Sequence, residues 1–85
     1  MEIPYLDTQA SQVTIEVTLP YAANVNLVDQ HNFNLYRNGS AYEYYGGYAT
    51  QSPVTISAPN TGNNRWYLIV DNPNGASINY QYRWI

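Results

Sequence analysis

Cysteine is missing from this chain, and so is lysine. Without thiols no disulfide and no thiolate-held metal can brace the fold, so its 85 residues must be held by packing alone. A chain this short buries a smaller share of its surface than a longer one does, which leaves aromatic packing or association with further copies as the remaining resource. The only cations are Arg37, Arg65 and Arg83, against six acidic side chains. That balance lacks the basic footprint that generic nucleic-acid binding needs. Charged residues make up 11% of the chain, so its contact with water rests on amides, hydroxyls and a net charge of -3. No apolar run is long enough for a membrane span. The start, Met1-Glu2-Ile3-Pro4, has no basic stretch leading into an apolar one, so no signal peptide is expected and the expected location is cytoplasmic.

What the chain has is tyrosine, ten of them, four within the run 42–53 around Gly46-Gly47. A tyrosine offers a flat ring with a polar tip, useful either for packing or for recognising a ligand. Around that run lie strand-like segments. Residues 3–6 suit a short edge strand, since Pro4 has no N–H to donate. Val13, Ile15, Val17 and Leu19 alternate with Gln12, Thr14, Glu16 and Thr18, the period-two pattern of a strand with one buried face. Residues 23–29 repeat that pattern through Val25 and Leu27 until Val28 breaks it. At 30–37 the reading changes to one short helical stretch: Asp29 can cap it, Phe33 and Tyr36 recur at helical spacing, and Asn38-Gly39 can end it.

Beyond the helix, residues 41–45 read as a strand, and Gly46-Gly47 as a break leading into a loop that ends at Pro53. Val54 and Ile56 resume the alternation as far as Pro59, and the run 60–64 is a turn by composition. In 65–71, Trp66, Leu68 and Val70 occupy one face and Tyr67 and Ile69 the other. Both faces are apolar, so this is the expected central, doubly covered strand. A reverse turn at 71–75 returns the chain as a strand over 76–85, expected as its hairpin partner, with Ile78, Tyr80, Tyr82 and Trp84 forming an aromatic ladder. About seven short strands and one helical turn predict a single all-β domain spanning 1–85, a compact antiparallel β-sandwich (jelly-roll-like) or a small barrel.

Catalytic constellations are not legible. His31 is the only histidine. One histidine with scattered carboxylates does not make a zinc set, and calcium at Asp71, Asn72 and Asn74 gives way to turn chemistry at Pro73 and Gly75. Ser52, Ser57 and Thr50 lack a nucleophile setting. An acid–base pair would need Glu43 with Asp29 or Asp71, residues better explained as a solvated edge or turn caps. Gly46-Gly47 matches neither phosphate-loop fingerprint. The sequence therefore predicts no catalytic residue, no metal and no cofactor. Binding is better supported: Tyr44, Tyr45, Tyr48 and Thr50, the Gly46-Gly47 backbone and Arg37 are the candidate ligand-binding residues, with rings for stacking and a guanidinium for an anion. If Tyr42 and Tyr44 point inward, alternation turns Tyr45 outward, and Tyr45 and Tyr48 become the main recognition surface.

The runs Asn24-Val25-Asn26-Leu27-Val28-Asp29, Asn32-Phe33, Tyr36-Arg37-Asn38-Gly39, Tyr44-Tyr45-Gly46-Gly47-Tyr48-Ala49-Thr50-Gln51-Ser52-Pro53-Val54 and Trp66-Tyr67-Leu68-Ile69-Val70-Asp71 resemble the bacterial "domain of unknown function" family numbered 1883, over most of the chain. The resemblance implies a compact β-domain, found alone or beside Toll/interleukin-receptor-like signalling domains, with no assigned activity. It also implies more basic residues than this chain carries at Ser40, Tyr42 and Gln51, a departure that weakens an anionic partner. The leading expectation is a non-enzymatic module that captures a small polar or nucleotide-derived ligand, as a sensor or a sequestering sponge. The alternatives are a protein-interaction or homo-oligomerisation module and, third, a carbohydrate-binding domain.

Overall fold

A computed structural model of the chain describes residues 3–72 and 78–85. Side-chain alternation decides the strands. In β2 (Gln12–Thr18), Val13, Ile15 and Val17 are at most 2% exposed, while the residues between them face away. β1 (Tyr5–Thr8) precedes it. After it come β3 (Ala23–Asp29), helix α1 (Gln30–Arg37), β4 (Tyr45–Ala49), β5 (Val54–Pro59), β6 (Asn64–Asp71) and β7 (Gln81–Trp84). All pairings are antiparallel, in one sheet ordered β1-β6-β3-β4 and another ordered β5-β2-β7. The sheets pack as a sandwich around Ile15, Val17, Val25, Leu27, Ile56 and Leu68. Each aliphatic side chain buried in this way contributes about 1.5–3 kcal/mol. No helix among the described residues is long and apolar enough to cross a membrane.

The strand expected to be covered on both sides is β6. Trp66 and Leu68 face the second sheet, whereas Tyr67 and Ile69 pack on the other side with Val28 and Phe33 beneath α1. Phe33 stacks on Tyr67 with ring centroids 3.7 Å apart and planes 8° apart. Val28, which interrupts the alternation of β3, belongs to this same cluster, because the helix that follows β3 folds back over its outer face. The helix starts where expected. Asp29 Oδ1 accepts the Asn32 backbone N–H at 2.9 Å, satisfying one of the donors that a helix start leaves bare. It ends at Asn38, followed by Gly39 at φ 73°.

Several elements differ from expectation. The edge strand begins at Tyr5 rather than residue 3, and Pro4 contributes its carbonyl, which accepts the Leu68 N–H at 3.0 Å. Residues 41–44 are not a strand: Tyr42 packs edge-on against Tyr36 at 5.4 Å, and the Glu43 N–H donates to Asn32 Oδ1 at 2.8 Å, so the helix rather than a sheet claims this stretch. Gly46 and Gly47 do not break pairing but lie inside β4, opposite Asn26 and Val25. Gly46 has φ 116°, and a Cβ there would collide with the Val25 carbonyl oxygen and come within 2.9 Å of Ile56 Cδ1. The terminal strand is not a hairpin partner of β6, both of whose edges are taken by β1 and β3; β7 instead pairs with β2. Of the expected turn at 71–75 and strand over 76–85, residues 73–77 lie outside the described residues.

Candidate functional site

At one end of the sandwich, β3 hands over to α1 while β5 turns into β6. A cavity of about 530 Å³ opens there, lined in part by Leu27, Val28 and Pro59. The segment before β4 supplies Glu43 and Tyr44, and β4 itself supplies Tyr45. Tyr45 pairs with Leu27 across β4 and β3, so its ring extends the inter-sheet face to its open end. It lies 6.1 Å from the Trp66 ring at 59°, and is 43% exposed where Trp66 is 3% exposed. Tyr44 is exposed too and leans on Tyr42 at 5.7 Å.

The polar wall is held in place by its own hydrogen bonds. Asn32 donates its side-chain amide to Asp29 Oδ1 at 2.9 Å and accepts the Glu43 N–H through Oδ1, so both ends of the amide are fixed. Across the cavity, Asn60 is buried. Its Oδ1 accepts the Trp66 indole N–H at 2.9 Å, and its Nδ2 donates to the Ala10 carbonyl at 2.7 Å. Thr61 and Asn64 complete that side, and Asn64 Oδ1 accepts the Arg65 N–H at 3.0 Å. The side chains of Tyr44, Tyr45, Glu43 and Thr61 make no hydrogen bond among the described residues, and with Asp29 Oδ2 and Asn64 Nδ2 these are the groups left to meet a ligand. Two carboxylates, Asp29 and Glu43, line the cavity, and no cation does so among the described residues.

Of the residues predicted to bind, the structure brings Tyr44 and Tyr45 into this cavity and leaves the others elsewhere. Arg37 sits at the far end of α1 with its guanidinium over the Phe33 ring, 5.8 Å from the centroid. Tyr48 pairs with Asn24 and, three residues from Tyr45, points to the opposite face of β4, 58% exposed. Thr50 lies on a separate shallow depression with Gln51 and Pro53. Gly46 and Gly47 line no part of the cavity; Gly46 lets β4 lie close to β3. The condition of an inward Tyr44 is not met: residues 41–44 follow no strand alternation and Tyr44 is exposed.

Asn60, Asn64, Thr61 and Trp66 were not legible as site residues: the first three read as turn composition and the last as core. The one sequence signal was the density of amides next to an apolar strand. Of the carboxylates weighed as an acid–base pair, Asp29 and Glu43 do share the cavity, but Asp29 Oδ1 is occupied by two Asn32 donors. Asp71 is remote from them and accepts the Asn24 amide at 2.9 Å. Among the described residues no three His, Asp or Glu side chains gather into a metal-binding group.

No curated protein and no solved structure matches the chain. The family model described as "Domain of unknown function (DUF1883)" matches residues 6–80, most of the chain, and the protein therefore belongs to that family.

Proposed function

We propose that this protein is a binding module for a small polar ligand, held in the cavity at the open end of the sandwich. The observation that carries this reading is the meeting of two exposed tyrosine rings with amides already fixed by hydrogen bonds, in a cavity of about 530 Å³. Metabolite-sized ligands use cavities of about 300–1,000 Å³, and polar groups that are already ordered lower the entropic cost of capture. The role is taken to be non-enzymatic, with Asp29 Oδ1 serving the helix start, and Glu43 and Asp29 Oδ2 serving ligand contact. A nucleotide-derived signal is the less favoured member of the class, because its phosphates would face two carboxylates while Arg37 lies elsewhere. A cytoplasmic sensor or sponge remains part of the proposal, since a chain without cysteine needs no oxidising compartment to fold.

Thermal-shift screening of metabolites tests this reading. A ligand at ten times its Kd adds about 1.4 kcal/mol, which raises Tm by about 6–11 °C in a domain of this size. The shift is expected to vanish in Tyr45→Ala and to persist in Tyr48→Ala and Arg37→Gln. Hits that depend on Tyr48 or Arg37 instead would refute the cavity as the site.

A second reading is self-association. Tyr5 and Tyr82, 53% and 46% exposed, border a shallow hollow with Ile3, Pro4 and Tyr80. Light scattering decides it: a strict monomer at high concentration rules out assembly through this face.

A further inference from the structure

Granting the binding reading above, on which this inference rests, the cavity's chemistry narrows the ligand. We propose that it takes an uncharged polyhydroxylated ring, the chemistry of a pyranose sugar unit, with a C–H face against Tyr45 and its hydroxyls against Glu43, Asp29, Thr61 and Asn64. Each wall of the cavity matches a class of atom on such a ring. An aromatic face is electron-rich, so it favours the weakly positive C–H groups of a sugar face as well as apolar area. Tyr45 offers such a face because Trp66 and the Asn60 bond hold the cavity wall behind it, while Tyr45 itself is 43% exposed.

The polar wall selects in the same direction. Carboxylates only accept hydrogen bonds, and bonds to an ionised acceptor are the strong ones, so Asp29 and Glu43 call for a ligand rich in O–H donors. Amide and hydroxyl groups such as Asn64 and Thr61 both donate and accept, which fits a hydroxyl, itself both donor and acceptor. A phosphate or carboxylate ligand is rejected by the same wall, because like charges at close range in a partly enclosed site repel and no cation lines the cavity among the described residues. Nucleosides, which stack well but carry few hydroxyls, and amines, which would pair with the carboxylates, are the competing classes. One ring with this set of contacts supports a Kd on the order of 1 mM.

Isothermal titration calorimetry with four probe sets separates the outcomes: methyl glycosides of glucose, galactose, mannose and N-acetylglucosamine; nucleosides; nucleoside monophosphates; and alkylamines. At least one glycoside is expected to bind, weakened about tenfold or more in Tyr45→Ala and about threefold to tenfold in Glu43→Gln. Glu43→Gln alters an exposed side chain and keeps the backbone bond to Asn32, so it serves if Tyr45→Ala fails to fold. Binding of a nucleoside, nucleotide or amine with the same dependence on Tyr45 or Glu43, and of no glycoside, overturns the sugar assignment and leaves the binding reading intact. Glycoside binding unaffected by both variants also overturns it, by placing the sugar elsewhere. No heat from any probe overturns the sugar assignment, and the binding reading then stands or falls on the metabolite screen.

Discussion

Asn60 shows how much one side chain can hold. It is 5% exposed, and its amide joins the turn after β1, through the Ala10 carbonyl, to Trp66 in β6. Its own N–H reaches the Ser11 carbonyl at 2.9 Å. Asn60→Ala leaves the buried indole N–H and the Ala10 carbonyl without these partners, and a stranded buried group costs about 1–3 kcal/mol. The expected loss by denaturant unfolding is therefore about 2–4 kcal/mol, and a loss under about 1 kcal/mol would contradict the bridging role. Tyr80 gives a pH signature. Burial and the neighbouring Tyr82 raise its phenol above the ordinary value of 10.0. Because the folded pKa is the higher one, this contribution to stability is intact below pH 10.0 and is lost as pH rises through the folded pKa. Tyr80→Phe should flatten that alkaline decline in unfolding free energy measured against pH. An identical decline in both proteins would remove Tyr80 as its source.

Among the elements, β4 departs most from its expected form. Two glycines in a row read as a break, because glycine weakens strands and favours turns. Here they sit within a ladder, and only the backbone geometry reveals why: Gly46 occupies a positive φ and has no room for a Cβ, whereas Gly47, also at positive φ, has open space. Gly47→Ala should cost about 1–3 kcal/mol from backbone strain alone. Gly46→Ala adds a collision with β3 and should cost clearly more; equal costs in denaturant melts would show that β4 does not lie this close to β3. β2, β3, β6 and α1 were legible because their signals are local: alternation, the Asp29 cap and the spacing of Phe33 and Tyr36. The partner of β7 was not, because strand pairing is a long-range choice. Turn chemistry at 71–75 suggested a hairpin, but the sheet contacts of β1 and β3 had already filled both edges of β6. The cavity was half legible. Tyr44 and Tyr45 stood out by composition, while Asn60 and Trp66 acquire their roles only when the 60–64 turn is folded against the end of the sheet.

At the scale of the whole molecule, the described residues form two sheets and a helix, with apolar clusters on both faces of the four-stranded sheet. That arrangement answers the lack of cysteine: β6 contributes to both clusters, so one strand ties the sandwich core to the helix layer. The three arginines are spread apart. Arg65 makes a two-point pair with Asp7 and covers the Tyr5 ring at 4.2 Å, Arg83 reaches Glu16 at 3.2 Å, and Arg37 covers Phe33. With a net charge of -3 and two carboxylates at the cavity, the field around the molecule disfavours anionic ligands and leaves neutral ones unaffected.

In the binding reading, a ligand enters the end of the sandwich rather than the tyrosine-rich strand face or the helix. Residue-resolved NMR on the labelled protein, titrated with the strongest hit from the metabolite screen, tests it most directly. The perturbed resonances are expected to be those of Glu43, Tyr44, Tyr45, Thr61 and Asn64, together with the Trp66 indole N–H, while Arg37, Tyr48 and Thr50 stay fixed. Perturbations centred on Arg37, Tyr48 and Thr50, with the Trp66 indole unmoved, would contradict it.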